Sequence, residues 1–293
     1  MKKKDKLYQS LYANRKLSEG YPDLEHLGSV YKKDQNLKKN NQKQGKSMKI
    51  NKKNFQIELF FRLVNINKMS KRALDIGCGP TPIFVKELIE NGLDAKGVEP
   101  VDEMYQLAKE YMSDESQIIK GYAEKIPAPD NSQSFVVLKG VLEHVISPPL
   151  VLNEIFRVLE PGGVVYISTT NKHMFSNAEY TKRFYQWYPS ILKESYVFMH
   201  LHYRPELARF SSKPAVHWYS YSDLCKLGRN AGFFSFYSLI DLISEDDLKN
   251  DLKFSLIKRS LFQRCKYNPI LRSLILTFTG IGGTIFMVKP KFL

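Results

Sequence analysis

The residues best placed for chemistry sit in Leu74-Asp75-Ile76-Gly77-Cys78-Gly79. Two glycines separated by one residue at the end of an apolar strand let the backbone come close to a ligand. A helix starting just after them offers N–H groups and the positive end of its dipole. Such a turn can hold an anionic group, either a pyrophosphate or a carboxylate. Further on, Glu99 closes the next strand in Gly97-Val98-Glu99-Pro100. A carboxylate there can accept hydrogen bonds from both hydroxyls of a ribose. Together the two features point to an adenosine-containing ligand. A full dinucleotide fingerprint would want Gly at position 82, where the chain has Pro82, and this argues against NAD or FAD.

The elements that must position these residues follow an alternating rhythm. Phe55, Leu59, Phe60, Leu63 and Val64 recur at helical spacing and predict an amphipathic helix. Residues 72–76, 94–99, 117–121, 134–138 and 164–168 read as short apolar strands, and Phe234–Leu242 and Gly283–Lys289 as two more. Residues 81–90, 102–112, 150–159 and 221–231 have helical character, with Pro82 suited to a first turn and Glu160-Pro161-Gly162-Gly163 as a stop. Strands with continuous apolar runs, alternating with helices, predict a parallel α/β sheet covered on both faces.

On these residues the chain resembles the class I S-adenosylmethionine-dependent methyltransferases, in the broad group called methyltransferase type 11 or ubiquinone-biosynthesis-like. The resemblance rests on the two segments above and on four others. These are Gly121-Tyr122-Ala123-Glu124-Lys125-Ile126-Pro127, Val141-Leu142-Glu143-His144-Val145, Glu154 through Gly163, and Tyr221-Ser222-Asp223-Leu224 through Ala231-Gly232-Phe233. They occur in the family's order over roughly residues 70–235. The resemblance implies a Rossmann-like, doubly wound seven-stranded sheet with an antiparallel last strand, and S-adenosyl-L-methionine as cofactor. It implies that Gly77, Cys78 and Gly79 lie under the methionine part and that Asp75 orients its amino group. Glu99 would hold the ribose and Pro100 would border the adenine. Tyr122, Ala123 and Glu124 would face the adenine edge, and Lys139 with Gly140 the methionyl end. Three positions depart from the family pattern: Thr81 replaces a frequent Gly, Tyr122 a frequent Asp, and Leu138-Lys139 lacks a polar residue often found there.

Methyl transfer to a hydroxyl benefits from a general base, and the family supplies none by motif. His144 and His217 are the two candidates, against a structural role for each, at a helix start and at a hinge. His200 and His202 have no Cys or carboxylate company, so no metal is expected. Residues 172–217 are dense in aromatics and read either as an insertion with its own core or as a lid over an apolar or sugar-like substrate.

The chain has 293 residues, 43% hydrophobic and 25% charged, with three distant cysteines. That composition excludes fibrous and disulfide-scaffold classes and suits a reducing, cytoplasmic setting. Met1-Lys2-Lys3-Lys4 is followed by no apolar run, so no secretory leader is expected. The net charge of +14 is uneven. Residues 1–72 hold 19 basic and 6 acidic side chains, against 25 and 24 in the remainder. The expected organisation is a basic, flexible arm over 1–54, a cofactor-binding core over 55–171, the aromatic insertion over 172–217, and the rest of the core over 218–293. A short helix is expected near Leu7–Leu17. The favoured function is an enzyme acting on a small-molecule methyl acceptor, O-directed. An RNA methyltransferase using the arm and a non-catalytic binding protein on the same fold are the alternatives. Nucleic acid at the arm, and membrane-surface contact near Ser273–Val288, are the less favoured partners.

Overall fold

The computed structural model describes residues 55–64, 69–174, 192, 217–252 and 255–291. The short helix expected near Leu7–Leu17 and nearly all of the aromatic stretch 172–217 lie outside them.

Buried apolar runs form the strands. These are β1 Arg72–Ile76, β2 Asp94–Glu99, β3 Ile118–Lys120, β4 Gln133–Lys139, β5 Leu159–Ser168, β6 Ser235–Tyr237 and β7 Thr284–Val288. They make one sheet in the order β3-β2-β1-β4-β5-β7-β6. The pairs from β3 through β5 are parallel, and β7 runs antiparallel to both β5 and β6. This is the Rossmann-like architecture with a reversed last strand. Strand order reverses between β1 and β4, so their carboxyl ends flank a crevice.

The central strand β4 shows why both faces are covered. Val136 and Leu138 belong to the core on one face, with α4 Pro148–Val158 and α5 Tyr221–Asn230. Phe135 and Val137 belong to the other, with α1 Phe55–Leu63 and α2 Ile83–Glu90. Alternation of side chains along a strand makes this split unavoidable. Phe60 of α1 stacks on Phe135 with ring centroids 4.0 Å apart, so the helix expected from Phe55 onward does close the sheet. A helix α3 Asp102–Tyr111 follows β2, and Ser220 with Asp223 forms a capping box on α5.

Two expected boundaries move. Glu160-Pro161-Gly162-Gly163 does not separate helix from strand. β5 already pairs at Leu159, opposite Gln133, and the register shifts between Gln133 and Phe135. The irregularity is absorbed by Gly162 at φ +84°, whose N–H donates to the Lys289 carbonyl at 3.0 Å. Likewise the strand expected over Phe234–Leu242 ends at Tyr237. Ser238 and Asp241 form a capping box there and start the short helix α6 Leu239–Leu242. The chain then continues through α7 Leu256–Tyr267 and α8 Pro269–Phe278 to a 3₁₀ turn, Gly280–Gly283, before β7. Among the described residues no helix is long and apolar enough to cross a membrane.

Arg157 holds the loop between β3 and β4. Its guanidinium donates to Glu154, to Asp130, and to the carbonyls of Ile126 and Ala128, at 2.6–3.0 Å. Glu154 in turn accepts from the Ile126 N–H at 2.8 Å. Arg157→Met keeps the stem and deletes every donor, and should cost about 1–3 kcal/mol of stability. Chemical denaturation checks this; an unchanged midpoint would show that solvent replaces the network.

Candidate active site

The expected cofactor residues lie at or just beyond the carboxyl ends of β1, β2, β3 and β4, along one edge of the sheet. In register, Asp75 lies between Gly97 of β2 and Val137 of β4, and Lys139 pairs with Ser168. The turn after β1 is built from Gly77 at φ +71° and Gly79 at φ +68°. A Cβ on Gly77 would strike Val141 at 2.4 Å, so only glycine lets the loop after β4 approach the turn. A Cβ on Gly79 or Gly140 would meet nothing within 4 Å. These two glycines therefore border open space at the crevice.

The turn's N–H groups are spent inside the protein. Those of Gly77 and Cys78 donate to the Val98 carbonyl at 2.7 and 3.2 Å. That of Gly79 donates to Glu99 Oε2 at 3.0 Å. The N–H groups expected to face an anion are those of the helix that follows; the three within the turn are occupied by Val98 and Glu99. The glycines serve close approach instead. Cys78 turns its thiol toward β2, where a Cβ on Gly97 would lie 2.6 Å from Sγ. Burial, with Asp75 and Glu99 nearby, pushes that thiol upward, so it stays protonated and unreactive.

Two buried acids dominate the electrostatics. Glu99 is only 3% exposed; its Oε1 accepts from the Val101 N–H and its Oε2 from Gly79, both at 3.0 Å. Burial raises it to about 7, opposed by those two hydrogen bonds. Asp75 is also raised to about 7 by burial, with Lys139 pulling down and Glu99 pushing up. Each acid is thus held ready for a partner that favours its charged form.

The adenine-side residues are brought together less directly. The Gly121 N–H donates to the Glu99 carbonyl at 3.3 Å, which links the loop after β3 to β2. Tyr122 bridges to Lys125, and Ala123 packs with Ile126 in the core. Glu124 Oε1 accepts from the Ile146 N–H at 2.9 Å, while Oε2 is buried with no hydrogen-bond partner among the described residues. Pro100 is half-buried beside Glu99.

Both candidate bases are tied to the loop after β4. The His144 N–H donates to the Val141 carbonyl at 2.8 Å. The His217 N–H donates to the Glu143 carbonyl at 3.2 Å, and its Nε2 lies 3.1 Å from the Val145 carbonyl. That contact requires Nε2 to carry the proton. Glu143, next to His144 in that loop, is only 2% exposed and accepts from Thr169 Oγ1 at 2.7 Å. Tyr219 lies near, its phenol pushed upward by burial and by the charge of Glu143. Glu143, Thr169 and Tyr219 received no role from the sequence. The available signal was an acid inside the apolar run Val141–Val145.

Comparison with known proteins identifies the family. A family model described as a methyltransferase domain matches residues 50–234. An uncharacterized methyltransferase of Schizosaccharomyces pombe is 33% identical over 129 residues, 40% of this chain and 45% of that protein. A ubiquinone biosynthesis O-methyltransferase of Pseudomonas fluorescens is 30% identical over 115 residues, 37% of this chain and 48% of that protein. The chain spans less than half the length of these curated relatives. Among solved structures, an S-adenosylmethionine-dependent methyltransferase from Mesorhizobium loti is 14% identical, with a TM-score of 0.46 over 79% of this chain and 94% of that one.

Proposed function

Because the chain belongs to the methyltransferase-domain family, whose cofactor is S-adenosylmethionine, we propose that it transfers a methyl group from that cofactor to the hydroxyl of a small-molecule acceptor. The observation that carries the reading is the pair of buried acids, Asp75 and Glu99, beside the open side of Gly79. The O-directed part draws support from the partial likeness to ubiquinone biosynthesis O-methyltransferases.

The bound cofactor supplies an electrophilic methyl on a sulfonium. Each Glu99 oxygen spends one lone pair on a backbone N–H and keeps another for a ribose hydroxyl. Asp75, ionised, pairs with the amino group. The buried Glu124 Oε2 accepts from the adenine edge and takes the place of the missing acid at Tyr122. Gly79 and Gly140 leave room for the methionyl part, and Lys139 limits the excess negative charge at Asp75. His144 or His217, flanking Glu143, receives the acceptor's proton. A single-histidine variant that lowers kcat with KM unchanged identifies which.

Calorimetry of the whole chain should show binding of S-adenosylmethionine and of its demethylated product. With cofactor carrying a labelled methyl, a cell extract should yield one labelled small molecule. No affinity for either nucleoside would overturn the reading. Binding without any turnover would leave the chain a binding protein, and labelled RNA would move the acceptor to nucleic acid.

A further inference from the structure

The hairpin of α7 and α8 presents an apolar face to solvent. Its inner side is ordinary core: Phe262, Cys265 and Leu276 are buried against Ile240, Ile243 and Leu248. On its outer side Leu256, Ile257, Leu261, Tyr267, Ile270 and Leu274 are 45–88% exposed. Positions 256, 260, 264 and 267, with 257 and 261 beside them, fall on one face of α7 by helical periodicity. Arg264 sits in their midst and is exposed. Six large apolar side chains exposed on two adjacent helices are more than the scattered exposure of an ordinary soluble face.

Charge selects the occupant. The two helices carry Lys258, Arg259, Arg264, Lys266 and Arg272 and no Asp or Glu, with Arg272 paired to Asp241 of α6. A second copy of the chain would set this cationic face against itself. The N-terminal segment, with 19 basic and 6 acidic residues over 1–72, carries the same sign. A surface both apolar and anionic matches both properties. We propose that the α7–α8 hairpin docks on an anionic phospholipid bilayer, with its apolar side chains at the acyl boundary and its cations at the headgroups.

Docking there has a geometric consequence. Asn171 Nδ2 donates to the carbonyls of Leu276, Thr277 and Thr279 at 3.2, 3.1 and 2.6 Å. The end of α8 is thereby bolted to the loop after β5, on the carboxyl edge that carries the site. A docked hairpin holds that edge beside the membrane.

The test is co-sedimentation of the full chain with vesicles of phosphatidylcholine, with and without phosphatidylglycerol. Wild-type protein should partition onto the anionic vesicles. The double variant Ile257→Glu/Ile270→Glu, with the basic N-terminal segment intact, should partition roughly tenfold less or weaker still. Cofactor calorimetry on the same samples confirms folding and separates this outcome from failure of the methyl-transfer reading. In a second measurement, Ile257→Cys carrying an environment-sensitive dye should shift to the blue on anionic vesicles. Equal partitioning of wild type and double variant would assign the binding to the N-terminal segment and overturn the proposal. So would no wild-type binding, a dye that does not respond, or a wild-type dimer abolished by the double variant in the absence of lipid.

Discussion

Glu99→Gln should weaken cofactor binding on the order of 100-fold or more. The carboxylate does two jobs at once. It receives the N–H groups of Gly79 and Val101, and its remaining lone pairs face the proposed ribose. A glutamine offers one acceptor oxygen, and its amide donor must confront one of those two N–H groups. Two charge-assisted hydrogen bonds at about 1.5–3 kcal/mol each account for the loss. The Gly79 turn also loses its anchor. Calorimetry with the demethylated cofactor product reads the effect directly, and a loss below threefold would remove Glu99 from the ribose site. Circular dichroism guards against trivial unfolding.

The protein free of cofactor should lose stability as pH rises from about 5 to about 7, and cofactor binding should tighten over the same range. Asp75 and Glu99 stand at about 7 when folded, against ordinary values of 3.8 and 4.5. Raised folded values mean that the native state binds more protons than the unfolded chain across this window. The stability they supply is therefore complete below about pH 4 and is lost as pH climbs through 7. Each acid contributes a slope of up to about 1.4 kcal/mol per pH unit while it titrates only in the folded state. In the proposed binding mode the cofactor's hydroxyls and amino group favour the ionised acids, so binding should release protons. Melting curves of wild type and Asp75→Asn between pH 5 and 8 test the first part. The variant should show the shallower slope, and equal slopes would contradict the burial argument. Calorimetry in two buffers of different ionisation enthalpy tests the second, and no net proton release near pH 6 would contradict it.

Both expectations concern residues that stand out in the linear sequence. The apolar strand ending in Gly77-Cys78-Gly79, and Glu99 closing the next, are legible because strand periodicity and glycine each leave a local signature. The alternation of strands and helices likewise announces a sheet covered on both faces. Boundaries are less legible where a local signal has two meanings. Glu160-Pro161-Gly162-Gly163 reads as a break, yet the structure uses it as an irregularity within β5. Phe234–Leu242 reads as one apolar run, yet the capping box of Ser238 and Asp241 divides it.

What the sequence by itself determined is the fold class, the glycine turn and the acid that closes the next strand, and the uneven charge, because each follows from the order and chemistry of neighbouring residues. Only the tertiary structure decided how those groups are used. It spends the N–H groups of the glycine turn on Val98 and Glu99, buries Asp75 and Glu99 until they resist ionisation, and gathers Glu143, Thr169 and His217 from distant parts of the chain. It also turns the apolar side of α7 and α8 outward. Hydrogen-bond partners and burial depend on what the fold brings alongside, and no local stretch of sequence contains that information.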